Sequence, residues 1–285
     1  MLIDKLLNEQ SSAMEAALRE LLPLSRLEGS GRLNAAVDYA VFPGGRRMRP
    51  ALTVLAAEVC GGPATKALRA ACAVEFLHTA SLIFDDLPCM DDAALRRGRA
   101  AVHVAFGADL ATLAGLALLN QAYKLFALVS PWLLQLAVTE IGPNGMIGGQ
   151  AVDLEGLPVR SRLQKTTALT RLTMAAGAIS AAAPAPDVRV LSSFGDALGE
   201  AYQILDDLAD AFGDESLLGK TAGQDARHCR MSAAVQFGAG EAREHAASLM
   251  GHACAELRGH FGPCEAVTLL ESFARTLVAP RAMAA

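Results

Sequence analysis

Phe76-Leu77-His78-Thr79-Ala80-Ser81-Leu82-Ile83-Phe84-Asp85-Asp86-Leu87-Pro88-Cys89-Met90-Asp91-Asp92, continuing through Ala93-Ala94-Leu95-Arg96-Arg97-Gly98, is the stretch around which the chain is organised. An apolar helix runs into four carboxylates, and two arginines follow. Like charges packed this closely repel unless a cation holds them together. Hard oxygen donors suit Mg²⁺, which takes one or two carboxylates and completes its shell with water and substrate phosphate. A guanidinium fork matches phosphate oxygens. The stretch therefore reads as a magnesium–diphosphate site at the end of an apolar helix.

The spacing sharpens this reading. At about 100° per residue, Asp85 and Asp91 fall on different faces of a regular helix. Pro88 removes a backbone donor and breaks the helical ladder. A break there brings Asp91 round to share ions with Asp85. A second acidic cluster, Tyr202-Gln203-Ile204-Leu205-Asp206-Asp207-Leu208-Ala209-Asp210, also follows an apolar helix. Asp206 and Asp210 are four residues apart and share a helical face without any break.

Working outward, helices are predicted over residues 1–21, 31–41, 50–60, 66–84, 107–126, 147–154, 163–181 and 188–212, and again from 231 onward. Phe42-Pro43-Gly44-Gly45 reads as a turn, and Pro50 suits the first turn of a helix. Arg46, Arg47 and Arg49 stand at that helix start, where cations meet the positive end of the helix dipole. A bound anion resolves the conflict, so the trio reads as a phosphate site. Alternating strand pattern, fixed-period repeats and long linkers are missing. The expectation is one all-α domain over residues 1–285, with the two acidic clusters on facing helices.

Composition agrees. Hydrophobic residues make up 52 % of the chain but aromatics only 5 %, which favours close-packed helices of Ala, Leu and Val. The net charge of −5 gives no reason to expect nucleic acid, which needs a basic surface. The six cysteines form no CxxC pair and no zinc spacing, as for thiols in a reducing compartment. The N-terminus lacks the basic-then-apolar pattern of a signal peptide. The most hydrophobic long run, Leu125 to Val138, is short for a membrane span. A soluble cytoplasmic protein is expected.

The chain resembles the trans-isoprenyl diphosphate synthases, the family that includes farnesyl and geranylgeranyl diphosphate synthases. The matching segments are Gly44-Gly45-Arg46-Arg47-Met48-Arg49-Pro50, the stretch from Asp85 to Gly98, Gly149-Gln150-Ala151-Val152-Asp153, Lys165-Thr166, Gln203 to Asp210, and Gly219-Lys220-Thr221-Ala222-Gly223-Gln224-Asp225. They occur in family order. The resemblance implies a helical bundle of the isoprenoid synthase type with a central apolar cavity, a homodimer, and Mg²⁺ as cofactor, three ions with substrate bound. It implies a head-to-tail condensation: an allylic diphosphate ionises, isopentenyl diphosphate attacks the cation, and a proton is lost.

By the same resemblance, Asp85, Asp86, Asp91, Asp206 and Asp210 hold metal, with Asp86 a ligand or a support behind one. Arg96, Lys165 and Lys220 contact the allylic diphosphate, supported by Thr166 and Gln203. Arg46, Arg49, His78 and Arg97 form a metal-free site for isopentenyl diphosphate. His78 lies two helical turns before Asp85 on one face. Ala80 and Ser81, about one turn before Asp85, leave room in a product tunnel, which argues against a ten-carbon limit. The first cluster has the longer spacing, found in bacterial farnesyl and in bacterial and plant geranylgeranyl synthases. The C20 product is preferred over C15. Departures from the family pattern include Arg46 for lysine, Phe84 for histidine, and Leu116 where an acidic residue is common. A regulatory subunit on the same fold is therefore an alternative. A class I terpene cyclase is disfavoured because Arg46, Arg49, His78 and Arg97 are all retained.

Overall fold

A computed structural model describes residues 2–155, 164–212 and 238–279. Twelve α-helices run through these residues: α1 Leu2–Leu21, α2 Gly31–Val41, α3 Met48–Val59, α4 Ala64–Asp85, α5 Val102–Phe106, α6 Ala108–Val129, α7 Pro131–Ile141, α8 Met146–Leu154, α9 Gln164–Ser180, α10 Ala185–Phe212, α11 Ala239–Phe261 and α12 Glu265–Val278. The architecture is all-α, as the apolar periodicity predicts.

Several features depart from the expected elements: α5 is an added short helix, the C-terminal helical stretch is divided into α11 and α12, and two further departures bear on the site. The apolar run 125–138 is split by Ser130, whose hydroxyl accepts from the Trp132 amide at 3.1 Å. Pro131 then begins a separate helix, α7, because a missing amide costs nothing at the first helical position. The second departure is a two-stranded hairpin, β1 Leu95–Arg96 and β2 Arg99–Ala100. Its two-residue turn places Arg97 at φ 54° and Gly98 at φ 72°, the left-handed pair that a tight hairpin of this hand requires.

α4 lies at the centre of the bundle. Phe76, Leu77, Ala73 and Ala80 are fully buried on it, and α3, α6 and α9 all pack against it. Small residues bring these helices close: an added Cβ at Gly177 of α9 would lie 2.1 Å from the Thr53 carbonyl of α3. α9 packs against both α4 and α10, so it joins the two helices that carry the acidic clusters. α4 and α6, rather than the shorter run 125–138, are long and apolar enough to cross a membrane by length and composition. Two thirds of the apolar window of α4 is buried inside the chain, which makes it a core helix. α6 is only one-third buried over its own window, and its outer face shows Leu113 and Leu116, each about half exposed.

Candidate active site

The first acidic cluster forms where α4 ends. The ladder stops at Asp85, and the chain coils over Leu87–Met90 so that the Asp91 amide donates to the Asp85 carbonyl at 2.9 Å. The break at Pro88 thus turns the chain back as its chemistry predicts. Asp85 is mostly buried. Desolvation raises its pKa, Lys165 works against that rise, and the charge of Asp91 adds to it. Lys165 Nζ, at the start of α9, stands 3.7 Å from Asp85 and 3.2 Å from Asp153 of α8. Among the described residues, no three acidic or imidazole groups already converge on one point.

Asp86 faces elsewhere. It is buried, and both its oxygens accept from Arg96 Nε at 3.0 Å, with a further contact from Arg96 Nη2. The two residues form a fork-to-fork pair that fixes the arginine beside the acidic cluster. Burial opposes the Arg96 charge, but the hydrogen bond and charge of Asp86 outweigh it and raise its pKa. Asp86 thus anchors the arginine. Arg97, next in sequence, is turned the other way by its left-handed backbone. Its guanidinium lies 3.2 Å from the position a Gly45 Cβ would occupy.

The arginine trio does not act as one group. Arg47 turns inward, making ion pairs with Glu15 at 2.7 Å and Glu75 at 2.6 Å. Arg46 is exposed. Arg49 Nη1 is 3.4 Å from His78 Nε2, and its Nε is buried without a partner. Burial lowers the pKa of Arg49, while Tyr202 of α10 pulls it the other way. Burial, then the charges of Arg49 and Arg97, hold His78 well below the ordinary histidine value, so its ring is neutral. A buried guanidinium nitrogen without a partner costs free energy, and a negatively charged acceptor would offset that cost. The phosphate reading of the trio therefore needs correcting at Arg47, whose fork is fully taken by two carboxylates and a carbonyl.

The second cluster is reached through Thr166. Its hydroxyl donates to Gln203 Oε1 at 2.6 Å, and Gln203 Nε2 donates to Asp207 Oδ1 at 2.7 Å. Asp207 is buried, whereas Asp206 is half-buried beside it. Consecutive residues of α9 thus reach both acidic helices: Lys165 touches Asp85 of α4, and Thr166 holds Gln203 of α10. Lys220 lies outside the described residues, as does the side chain of Asp210. The sequence motifs contain Asp153, Asp207 and Tyr202 but assign none of them a role. Asp153 lies in the quoted Gly149–Asp153 segment, one helical motif away from Lys165, and that signal could have found it.

The donor set suits a hard divalent cation: carboxylates outnumber the nearby cations, and Asp85 is desolvated against its own charge. A model of the polyprenyl synthetase family matches residues 30–257, which spans both acidic clusters, the arginines and Lys165. The chain belongs to the polyprenyl synthetase family. It is 37 % identical over 270 residues to geranylgeranyl pyrophosphate synthase 11, chloroplastic, of Arabidopsis thaliana, covering 88 % of this chain and 75 % of the relative. It is 38 % identical over 240 residues to farnesyl diphosphate synthase of Geobacillus stearothermophilus, covering 78 % of this chain and 80 % of that one. Among solved structures, an FPP/GFPP synthase from Zymomonas mobilis superposes with a TM-score of 0.83 at 30 % identity, covering 98 % of this chain and 100 % of that one. A polyprenyl synthase from Caulobacter crescentus, complexed with calcium and isoprenyl diphosphate, gives 0.83 at 26 % identity, with 98 % of each chain covered.

Proposed function

We propose that this trans-prenyltransferase, a short-chain prenyl diphosphate synthase, condenses isopentenyl diphosphate with allylic diphosphates and stops at the C20 product. The observation that carries the site is the pairing of Lys165 with Asp85 and of Thr166 with Gln203. Neighbouring residues of one helix join two acidic helices, which is what a single diphosphate held between both clusters needs.

Asp85, Asp91 and Asp206, with Asp210, would hold Mg²⁺, three ions in the loaded enzyme, and the metal would supply positive charge against the leaving diphosphate. Arg96, aimed by Asp86, and Lys165, Lys220 and Thr166 bind the allylic diphosphate. Arg46, Arg49, His78 and Arg97 bind isopentenyl diphosphate without metal. Neutral His78 accepts from Arg49 at Nε2 and so presents Nδ1–H as its donor. The two anion sites are distinct in charge logic. One is built on carboxylates that need cations, the other on arginines that need an anion.

Ala80 is buried and Ser81 half-buried about one turn before Asp85. The Ser81 hydroxyl folds back to donate to the His78 carbonyl at 2.8 Å, which keeps that side chain short and supports a product longer than ten carbons. The exposed apolar face of α6 supports a homodimer, since a contiguous exposed apolar face marks a contact surface; sedimentation equilibrium checks this. The five described cysteines are all free thiols, consistent with a reducing cytoplasm.

Consumption of isopentenyl diphosphate tests the reading. With Mg²⁺ and a C10 or C15 primer, the chain should consume it, and EDTA should stop consumption. Ionisation of the primer with no uptake of isopentenyl diphosphate would instead mark a cyclase.

A further inference from the structure

We infer that Arg47 is a positioning residue for the isopentenyl diphosphate site: it ties the N-terminal helix and α4 to the loop that aims Arg46 and Arg49. The inference rests on the proposal above that Arg46, Arg49, His78 and Arg97 hold that substrate.

Arg47 is 8 % exposed, and its backbone is left-handed at φ 52°, ψ 34°. Such a conformation in a residue with a long side chain persists only where surroundings hold it. The holding contacts are explicit. Nε donates to Glu15 of α1 at 2.7 Å, Nη1 to Glu75 of α4 at 2.6 Å, and Nη2 to the Val41 carbonyl at 2.8 Å. The guanidinium also faces the Phe42 ring at 5.6 Å. Gly44 completes the wrap. At φ 75°, its missing Cβ would lie 2.3 Å from Arg47 Cζ, so only glycine lets the loop lie flat on the guanidinium.

The loop from Val41 to Arg47 is therefore coiled around one cation. Burial works against that charge, but the Glu15 hydrogen bond and the charge of Glu75 outweigh it, and the Arg47 pKa lies above the ordinary arginine value. With three acceptors already engaged, Arg47 has no fork to offer a phosphate. The left-handed turn at Arg47 swings Arg46 outward and starts α3 so that Arg49 meets His78. Glu15 extends this control to α1, far from the acidic clusters. The predicted signature is selective: the isopentenyl site loosens while the allylic site, built on Lys165, Arg96 and the carboxylates, does not.

The test uses the full-length chain and three variants, Arg47→Lys, Glu15→Gln and Gly44→Ala. Arg47→Lys keeps a positive charge for Glu75 but loses the fork that reaches Glu15 and Val41. Binding of isopentenyl diphosphate is titrated calorimetrically in EDTA, and KM for each substrate is measured with Mg²⁺. Arg47→Lys should weaken isopentenyl diphosphate binding and raise its KM about tenfold, the scale on which lost orienting partners act, while the allylic KM stays within about twofold. Glu15→Gln and Gly44→Ala should move the same constants in the same direction. Should Arg47→Lys fail to fold by circular dichroism, Glu15→Gln, whose carboxylate is partly exposed, carries the test alone. Equal rises in both KM values, or a fall in kcat alone, would overturn the inference. Wild type that binds isopentenyl diphosphate beside variants that bind it equally well overturns the inference only. Wild type that does not bind it overturns the site assignment and this inference together.

Discussion

The Asp91 amide donates to the Asp85 carbonyl across 2.9 Å, so two carboxylates that a continuous helix would hold apart are returned to the same end of α4. Their charges then repel in a partly desolvated site, and each needs a cation more than it needs the other. Asp85→Asn should lower turnover by about 10³-fold, the scale of losing a group that faces transition-state charge. The metal-free protein should not be destabilised, because a buried carboxylate that resists ionisation is replaced by a neutral amide. A melting temperature raised by about 2 °C is expected. Mg²⁺ with inorganic diphosphate should raise the melting point of wild type and not of the variant. A variant that melts well below wild type and still turns over would contradict the metal assignment.

His78 gives a pH dependence of known sign. Burial, then Arg49 and Arg97, depress its folded pKa below the unfolded value of about 6.5. Below that value the unfolded chain binds the extra proton, so stability from His78 is complete above about pH 6.5 and is lost as pH falls towards the folded pKa. Wild type should lose more melting temperature between pH 6.5 and 5 than His78→Gln does. Parallel curves for the two proteins would refute a neutral, arginine-facing His78.

Thr166→Val removes one hydroxyl that donates to Gln203 at 2.6 Å. Gln203 keeps Asp207 but loses its second restraint. The allylic KM should rise about tenfold, the usual consequence of an unmet buried acceptor, with the isopentenyl diphosphate KM little changed. Steady-state kinetics with each substrate varied in turn decides this, and an isolated change in the isopentenyl constant would argue for a different role.

Ser81→Phe tests the tunnel. Ser81 sits one turn before Asp85 on the same face, and one turn of about 5.4 Å is close to one isoprene unit. A phenyl group there should shift the products towards C15 and C10. Unchanged chain length would place the tunnel along another face of α4.

Much of this is legible in the sequence. The break at Pro88 follows from one missing amide, and the helix starts at 31 and 185 lie close to the glycine and proline signals around them. The split of the arginine trio was not legible. Arg47 is claimed by Glu15 and Glu75, one on α1 and the other mid-way along α4, and no local pattern announces partners so far away in sequence. Asp207 was hidden for a similar reason. Its burial depends on Gln203 and Thr166 coming from two helices. The direction of Phe84 needed packing as well: its ring lies against Gly115 of α6, 2.7 Å from where a Cβ would stand. The hairpin at 95–100 was missed because strands of two residues carry no readable alternation.

The most direct measurement incubates the purified chain with Mg²⁺, isopentenyl diphosphate and each of the C5, C10 and C15 allylic diphosphates, then identifies the prenyl alcohols released by dephosphorylation. The account predicts elongation from all three primers, ending at the C20 alcohol. Folded protein that elongates none of them would contradict it.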